Sequence, residues 1–317
     1  MDTKNKTDLL SRYTSFPLAF GGASISGEGG GYGFGEMTEN GALSLLNEAY
    51  DLGFTLFDTA PIYGFGLSEK RLGIAFRKNR EKVFLVSKSG VTWHENKRVD
   101  MNNSPEVTRR MLEQSLKDLQ SEYIDLYMIH WPDQKVDIRL PMEVLAKAKH
   151  EGKIRHIGLC NTYVDDLKKA SEIEKIEAVQ SSFSFFARQA RDELFHYLKE
   201  NDISFMGYGT LEKGILTKRV NKQRIFDKAD CRSWAPWWKN SDKDSKIEMV
   251  ERLSPLVEKT GHTMLELALG FVLSHEEVST ALCGAKTSDQ LQSLVKALKN
   301  LPSKEKLNEY STFLNLK

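Results

Sequence analysis

Four polar side chains in the first half of the chain are of the types that interconvert carbonyls and alcohols. Asp58, Lys88 and His130 each end an apolar run, and Tyr63 follows Asp58 by five positions among glycines. An ammonium paired with a carboxylate stays charged, and a tyrosine beside it has its pKa lowered from about 10. Such a phenol can donate a proton to a carbonyl oxygen, while a neutral histidine orients that oxygen. Because no side chain supplies a hydride, this chemistry predicts a nicotinamide cofactor.

Each of these residues alone also has a structural interpretation. Asp58 can be a cap or turn residue, Tyr63 a surface aromatic, Lys88 half of a structural ion pair and His130 a core histidine. The choice between the two interpretations depends on whether the fold brings the four side chains together.

Eight short apolar runs, separated by segments with helical patterns, predict the elements that position these residues. The predicted strands are residues 16–21, 54–58, 83–88, 124–130, 154–160, 176–182, 203–209 and 278–284. A helix predicted over 104–120 opens with Ser104 as its cap and Pro105 at its first position. Strands that alternate with helices form a parallel sheet, because parallel neighbours need a crossover. The pattern predicts an α/β fold, a single (β/α)8 TIM barrel whose one domain covers residues 1–317.

The C-terminal ends of the strands carry the chemistry in such a barrel. Asn161, Gln180 and Tyr208 lie at the ends of three further predicted strands and should meet the first four residues at one face. Two connections exceed the usual length in a compact domain and are therefore expected to be functional or disordered. Residues 22–37 are flexible by composition, and residues 217–244, with three tryptophans, favour an ordered loop that faces the pocket.

Tryptophans near the predicted strand ends are candidates for substrate contacts. Trp93, Trp131 and Trp234, together with Trp237 and Trp238, could form an aromatic wall. The alternative is that they pack the loops against the barrel. An aromatic wall suits a hydrophobic carbonyl and equally the apolar face of a sugar.

Composition limits the partners. The 45 basic and 44 acidic residues nearly cancel, so no electrostatic footprint for nucleic acid or an anionic membrane is present. The three cysteines are far apart and lack metal-ligand spacing, which argues against a zinc site and a disulfide scaffold. The start lacks a signal-peptide pattern, and no apolar run reaches the roughly 20 residues of a membrane span. A cytoplasmic protein acting on a small molecule is expected, and the oligomeric state is left open.

Four ordered blocks give the chain a close resemblance to the aldo-keto reductase superfamily, and to its bacterial branch with vegetative and inositol-operon type reductases. They are "FDTAPIYGFGLSEKRLG", "VFLVSKSG", "IDLYMIHWPD" and "GKIRHIGLCN", with looser matches at "VQSSFSFFAR" and "GYGTLEKGIL". The resemblance implies a barrel that binds NADP(H) without a Rossmann domain. It implies a catalytic tetrad in which Tyr63 is the general acid, Lys88 and Asp58 lower its pKa, and His130 positions the carbonyl.

Cofactor contacts are implied by the same resemblance. Gly21 and Gly22 would allow close approach, Asn161 and Gln180 would bind the nicotinamide carboxamide, and Tyr208 would stack on its ring. The segment "LCGAKTSDQLQSL" is similar to the family's cofactor-phosphate segment. The remaining implied contacts are Leu211, Gly214, Gly284, Lys286, Thr287 and Gln290, of which Lys286 and Thr287 would meet the 2′-phosphate.

Several positions depart from the family pattern. Cys160 replaces a common serine, Gly209 and Thr210 replace a common Ser-Pro, Cys283 stands where proline is usual, and Leu294 replaces an asparagine. These departures leave NAD(H) as the alternative to NADP(H).

Reduction of an aldehyde or ketone is the activity that this resemblance implies. The alternatives are an NAD(P)-dependent sugar dehydrogenase of the same superfamily, a barrel aldolase with a Schiff base on Lys88, and a non-catalytic nucleotide-sensing subunit.

Overall fold

Eight parallel strands close into a barrel, and a two-stranded hairpin lies above it. The computed structural model describes residues 8–14, 16–96 and 98–316. The strands are β1 (Leu18–Gly21), β2 (Leu56–Asp58), β3 (Phe84–Ser89), β4 (Val91–Trp93), β5 (Val99–Met101), β6 (Ile124–Ile129), β7 (Ile154–Cys160), β8 (Ala178–Ser182), β9 (Ser204–Tyr208) and β10 (Val278–Cys283). The barrel order is β1-β10-β9-β8-β7-β6-β3-β2, and β4 pairs with β5 antiparallel. The predicted (β/α)8 barrel is therefore confirmed.

Helices between the barrel strands cover their outer faces, and one short helix precedes β1. They are α1 (Leu9–Tyr13), α2 (Glu39–Asp51), α3 (Leu67–Phe76), α4 (Pro105–Asp118), α5 (Arg139–His150), α6 (Val164–Ser171), α7 (Gln189–Glu193), α8 (Phe195–Glu200), α9 (Pro236–Lys239), α10 (Lys243–Lys259), α11 (Met264–Leu273), α12 (Ser288–Ala297) and α13 (Lys304–Phe313). The predicted start of α4 is correct, since the Ser104 hydroxyl accepts from the Val107 N–H and Pro105 follows. The prediction of no signal peptide rests on residues 1–10, of which residues 1–7 lie outside the described residues.

The barrel interior changes from apolar to polar along its axis. Its middle contains Leu56, Val86, Leu126, Met128 and Met206, and the side chains of α1 belong to the same buried cluster. At the C-terminal ends of the strands, the buried side chains include the polar residues Asp58, Lys88 and Gln180. Within the described residues, no helix combines the length and the apolar character that a membrane crossing requires.

Both long connections pack as ordered loops, against the composition of residues 22–37 and as predicted for residues 217–244. The segment 22–37 was predicted to be flexible, but a Cβ on Gly31 would come within 2.2 Å of the Ile62 carbonyl oxygen. That glycine therefore allows tight backbone packing against the neighbouring turn. The connection after β9 contains two 3-10 turns, Glu212–Thr217 and Cys231–Ser233, and the short helix α9.

Candidate active site

A buried ion pair joins the ends of two adjacent barrel strands. Asp58 ends β2 and Lys88 lies on the neighbouring strand β3. The Lys88 Nζ donates to Asp58 Oδ1 at 2.7 Å and to the Thr59 carbonyl oxygen at 2.8 Å, and its side chain is fully buried. Burial lowers the pKa of an ammonium, but Asp58 outweighs this effect and the pKa of Lys88 is raised. The lysine is therefore a fixed positive charge at neutral pH.

Tyr63 and His130 face this pair across the barrel mouth. The Lys88 Nζ lies 5.5 Å from the centre of the Tyr63 ring, and the Tyr63 and His130 rings meet edge to face at 6.0 Å. The four predicted catalytic residues thus lie together. Burial, with a smaller contribution from Lys88, lowers the pKa of His130 well below 6.5, which leaves its imidazole neutral.

The pKa of Tyr63 is shifted in the direction opposite to the one predicted from the sequence. Burial raises it to about 12, and the Lys88 ammonium opposes this shift without reversing it. The predicted lowering of the Tyr63 pKa is therefore wrong for this structure, because desolvation destabilises the phenolate more than one nearby ammonium stabilises it. Tyr63 is a protonated phenol at neutral pH, which is the form that can donate a proton.

Three side chains at the ends of β7, β8 and β9 continue this polar layer. The Gln180 Nε2 donates to Asp58 Oδ1 at 2.7 Å, so the carboxylate accepts from both Gln180 and Lys88. The Tyr208 hydroxyl donates to Asn161 Oδ1 at 2.7 Å, and Asn161 Nδ2 donates to the His130 carbonyl oxygen at 2.9 Å. These bonds connect the predicted cofactor amides to the ion pair and to the backbone of His130.

One cavity of about 1670 Å³ runs from Tyr63 across the barrel mouth to α12. Cavities that hold a single small ligand measure about 300–1,000 Å³, so this one has room for two. The predicted residues that line it beside Tyr63 and His130 are Gly21, Asn161, Gln180 and Tyr208. Those that line its far half are Leu211, Gly214, Gly284, Lys286 and Gln290.

Gly22 and Thr287 do not line the cavity in this structure, and their cofactor contacts stay predictions. A Cβ on Gly22 would come within 2.5 Å of Ser68 Oγ and 2.8 Å of the Asp58 carbonyl oxygen, so this glycine allows packing beneath the site. The Thr287 hydroxyl caps α12 by accepting from the Gln290 N–H.

Among the predicted substrate contacts, only Trp131 lines the cavity. Trp93 lies in the hairpin and packs on Phe65 with ring centres 5.0 Å apart, and Trp234 packs on Tyr32 at 5.5 Å. Both indoles therefore pack on loop aromatics in this structure, which is the alternative to their predicted role in substrate binding. Trp237, from α9, does line the cavity.

The far half of the cavity carries positive charge. Lys286 is half-buried there, and burial lowers the pKa of its ammonium while Asp230 opposes that shift. A Cβ on Gly35 would lie 2.8 Å from Lys286 Nζ, so the lysine reaches the 22–37 connection. Arg224 and Lys213 also line this region, and they were not predicted. Their cationic character suits phosphate groups.

The departures from the family pattern lie in or beside the same cavity. The Cys160 thiol is 3.8 Å from Gln180 Oε1, and burial raises its pKa. Thr210 is buried and donates to the Gly207 carbonyl oxygen at 3.2 Å, which ties the strand end to the following turn. Cys283 and Leu294 both line the far half.

Comparisons with known proteins agree with this geometry. A profile of the Aldo/keto reductase family matches residues 17–314. The aldo-keto reductase YhdN of Bacillus subtilis is 32% identical over 84% of this chain and 81% of its own length. The NADH-specific methylglyoxal reductase of Escherichia coli is 30% identical over 83% and 84%. The solved glycerol dehydrogenase AKR11B4 of Gluconobacter oxydans has a TM-score of 0.81 at 28% identity, covering 94% of this chain and 91% of its own. The resemblance inferred from the sequence is confirmed, and the chain belongs to the aldo/keto reductase family of oxidoreductases.

Proposed function

We propose that this protein reduces an aldehyde or ketone to an alcohol with NADP(H), and that Tyr63 supplies the proton. The observation that carries the proposal is the meeting of Tyr63, His130 and the Lys88–Asp58 pair at one end of a cavity whose other end is cationic. A protonated phenol can donate a proton to a carbonyl oxygen, a neutral imidazole can orient that oxygen, and a fixed ammonium can stabilise the phenolate that forms.

Lys88 acts on Tyr63 by charge. When the phenol gives up its proton it becomes an anion, and the ammonium 5.5 Å from its ring stabilises that anion in a site of low dielectric. Asp58 keeps the lysine charged and fixed, which is why the carboxylate is needed.

His130 orients the substrate oxygen. Its neutral imidazole can donate one N–H to a carbonyl oxygen that also accepts from Tyr63. The Asn161 bond to the backbone of His130 holds this residue in place.

The residues of the cavity fit NADP(H). Bound cofactor supplies the hydride that no side chain can provide. Asn161 and Gln180 would bind its carboxamide, and Tyr208 would stack on its ring. Gly21 would allow the cofactor to approach the backbone closely, and Leu211 and Gly214 would contact its pyrophosphate. Gly284, Lys286 and Gln290 would bind at the adenosine end.

Lys286 favours NADP(H) over NAD(H). Its half-buried ammonium has a lowered pKa because burial disfavours its charge, and a phosphate anion beside it would relieve that cost. The name of the Escherichia coli relative states NADH specificity for that protein, and NAD(H) is therefore the alternative cofactor for this chain.

Apolar side chains around Tyr63 favour an uncharged substrate. Ile62, Val91, Val99, Met101 and Trp131 line this end of the cavity. Two relatives are named for methylglyoxal reduction and glycerol oxidation, and these are the two directions of one carbonyl–alcohol chemistry. We therefore propose a small neutral aldehyde or ketone, with a polyol or sugar as the alternative substrate.

The experiment has two stages. Quenching of tryptophan fluorescence by NADPH and by NADH gives both affinities, and loss of the reduced cofactor's absorbance is then followed with aldehydes, ketones and sugars. We expect tighter binding of NADPH and turnover of at least one aldehyde. Binding without any turnover would indicate a nucleotide sensor, and an adduct on Lys88 after borohydride treatment with a carbonyl would indicate an aldolase; either result contradicts the proposal.

A further inference from the structure

A buried guanidinium with no part in the proton-transfer chemistry lies one helix away from the site. Arg71 is on α3, the helix that follows the Tyr63 turn, and only 3% of its surface is exposed. A buried arginine is costly unless its donors find acceptors, so its partners show what it holds.

Arg71 bonds to the beginning, middle and end of the 22–37 connection. Its Nη1 donates to the Ile25 carbonyl oxygen, and its Nη2 donates to the Glu28 carboxylate and, at 2.8 Å, to the Met37 carbonyl oxygen. Glu28 in turn accepts from the Met37 N–H at 3.3 Å. We call Arg71 and Glu28, with these two carbonyls, the arginine staple.

The stapled segment forms part of the cavity wall on the side of Tyr63. Tyr32, Phe34 and Gly35 line the cavity. The Tyr32 N–H donates to the Ile62 carbonyl oxygen at 3.3 Å, so the segment is attached to the turn that carries the proposed acid.

The same segment also bonds to the loop that covers the cationic half. The Cys231 N–H donates to the Gly33 carbonyl oxygen at 2.9 Å, and the Gly35 N–H donates to the Ala229 carbonyl oxygen at 3.3 Å. Residues 22–37 thus form a bridge across the cavity between the Tyr63 turn and residues 229–231. A molecule held in both halves of the cavity would lie beneath this bridge.

The glycine-rich composition of residues 22–37 disfavours an ordered conformation of the bridge. Seven of the sixteen residues in 22–37 are glycine, and glycine loses more conformational freedom on ordering than any other residue. Neutral backbone bonds hold the bridge at its two sides, whereas charge-assisted bonds from Arg71 join Ile25, near its beginning, to Met37 at its end. Charge-assisted hydrogen bonds are about twice as strong as neutral ones.

We propose that Arg71 is a positioning residue that keeps the 22–37 bridge closed over the bound dinucleotide and so sets how slowly the cofactor leaves. This inference rests on the proposed function for the identity of the ligand. Arg71 would control cofactor retention without contacting the cofactor or the substrate.

The test compares Arg71→Met, Arg71→Lys and Glu28→Gln with Lys70→Met, a control that changes the exposed neighbouring residue of the same helix. Stopped-flow fluorescence gives the dissociation rate of NADPH, and hydrogen exchange of residues 25–37 is measured in the ligand-free protein. We expect Arg71→Met to release NADPH about tenfold faster, the equivalent of one charged hydrogen bond. Exchange in 25–37 should rise in parallel, Arg71→Lys and Glu28→Gln should be intermediate, and Lys70→Met should match the wild type.

Two results would contradict the proposed role of Arg71 in cofactor retention. One is a set of folded variants whose NADPH dissociation rate equals that of the wild type. The other is a loss of turnover at saturating NADPH with unchanged cofactor release, which would assign Arg71 to the Tyr63 turn. Should Arg71→Met fail to fold, Glu28→Gln still decides, because its carboxylate lies near the surface and the same two readouts apply. A wild-type protein that binds no dinucleotide contradicts the proposed function itself, which separates the two failures.

Discussion

Replacing Asp58 by Asn isolates the charge of the buried pair. The substitution keeps the shape of the side chain and an oxygen that can accept from Lys88 Nζ and Gln180 Nε2, the two donors that now share Asp58 Oδ1. It leaves a fully buried ammonium without a counter-charge. Because removing one member of a buried pair costs about 3–5 kcal/mol, we expect a loss of that size in the free energy of unfolding near neutral pH.

The pH dependence of this loss distinguishes charge from packing. In the wild type, the pKa of Lys88 is higher in the folded protein than the unfolded-state pKa of 10.5. The ammonium therefore stabilises the fold below pH 10.5, and this stabilisation is lost as the pH rises through the folded-state pKa. In Asp58→Asn, burial is no longer opposed by a carboxylate, so the folded-state pKa of Lys88 falls below 10.5. The unfolded variant then binds more protons than the folded one, and its stability rises with pH. The gap between the two proteins should therefore narrow from pH ~7 to pH ~10.

Urea unfolding followed by tryptophan fluorescence measures both free energies at each pH. Glu309→Gln is the control, because it breaks the exposed Lys306–Glu309 pair and should cost less than about 1 kcal/mol. A gap below about 1 kcal/mol, or one that stays constant with pH, would refute the assignment of a charged Lys88 held by Asp58.

Three further predictions follow from the same side chains. The rate of carbonyl reduction should stay level from about pH 6 to about pH 9, because the pKa of Tyr63 is raised to about 12 and that of His130 is lowered well below 6.5; a titration inside that range would contradict these protonation states. Lys286→Ala should weaken NADPH binding by about tenfold or more while changing NADH binding little, and equal losses would contradict the phosphate contact. Glu69 is fully buried, accepts from Ser87 at 2.6 Å and has its pKa raised to about 7 by burial, so its ionisation penalises the fold increasingly as pH rises from 4.5 to about 7. The free energy of unfolding of Glu69→Gln should therefore rise relative to that of the wild type by up to about 3 kcal/mol between pH ~4.5 and pH ~8. If the two free energies change in parallel with pH, Glu69 does not titrate in this range.

Local sequence patterns were sufficient for the barrel and for placing Asp58, Lys88 and His130 at one face of it, whereas the predicted role of Tyr63 came from the family resemblance. Runs such as 124–130 are short, β-rich and bounded by helical segments, so their strands follow from propensity and from the crossover that parallel pairing requires. Strand-end residues such as Asp58 and Lys88 then meet because parallel strands present the same ends to one face.

Features that depend on distant contacts could not be read from the sequence. The sign of the Tyr63 pKa shift depends on how much of the chain buries the phenol, and no local motif contains that quantity. Trp93 and Trp234 pack on Phe65 and Tyr32, so their directions follow from loop packing. Arg71 bonds to the backbone of Ile25, which lies 46 positions earlier in the chain, and no local motif at either position predicts this contact.

The central claim is that the Tyr63 phenol donates a proton to the substrate oxygen, and Tyr63→Phe tests it most directly. The variant keeps the ring beside Lys88 and removes only the hydroxyl. A single turnover with NADPH already bound should slow by about 10²–10⁴-fold, the usual contribution of a positioned general acid, while NADPH affinity stays within about twofold of the wild type. Single-turnover rates that match the wild type at equal occupancy would contradict the account.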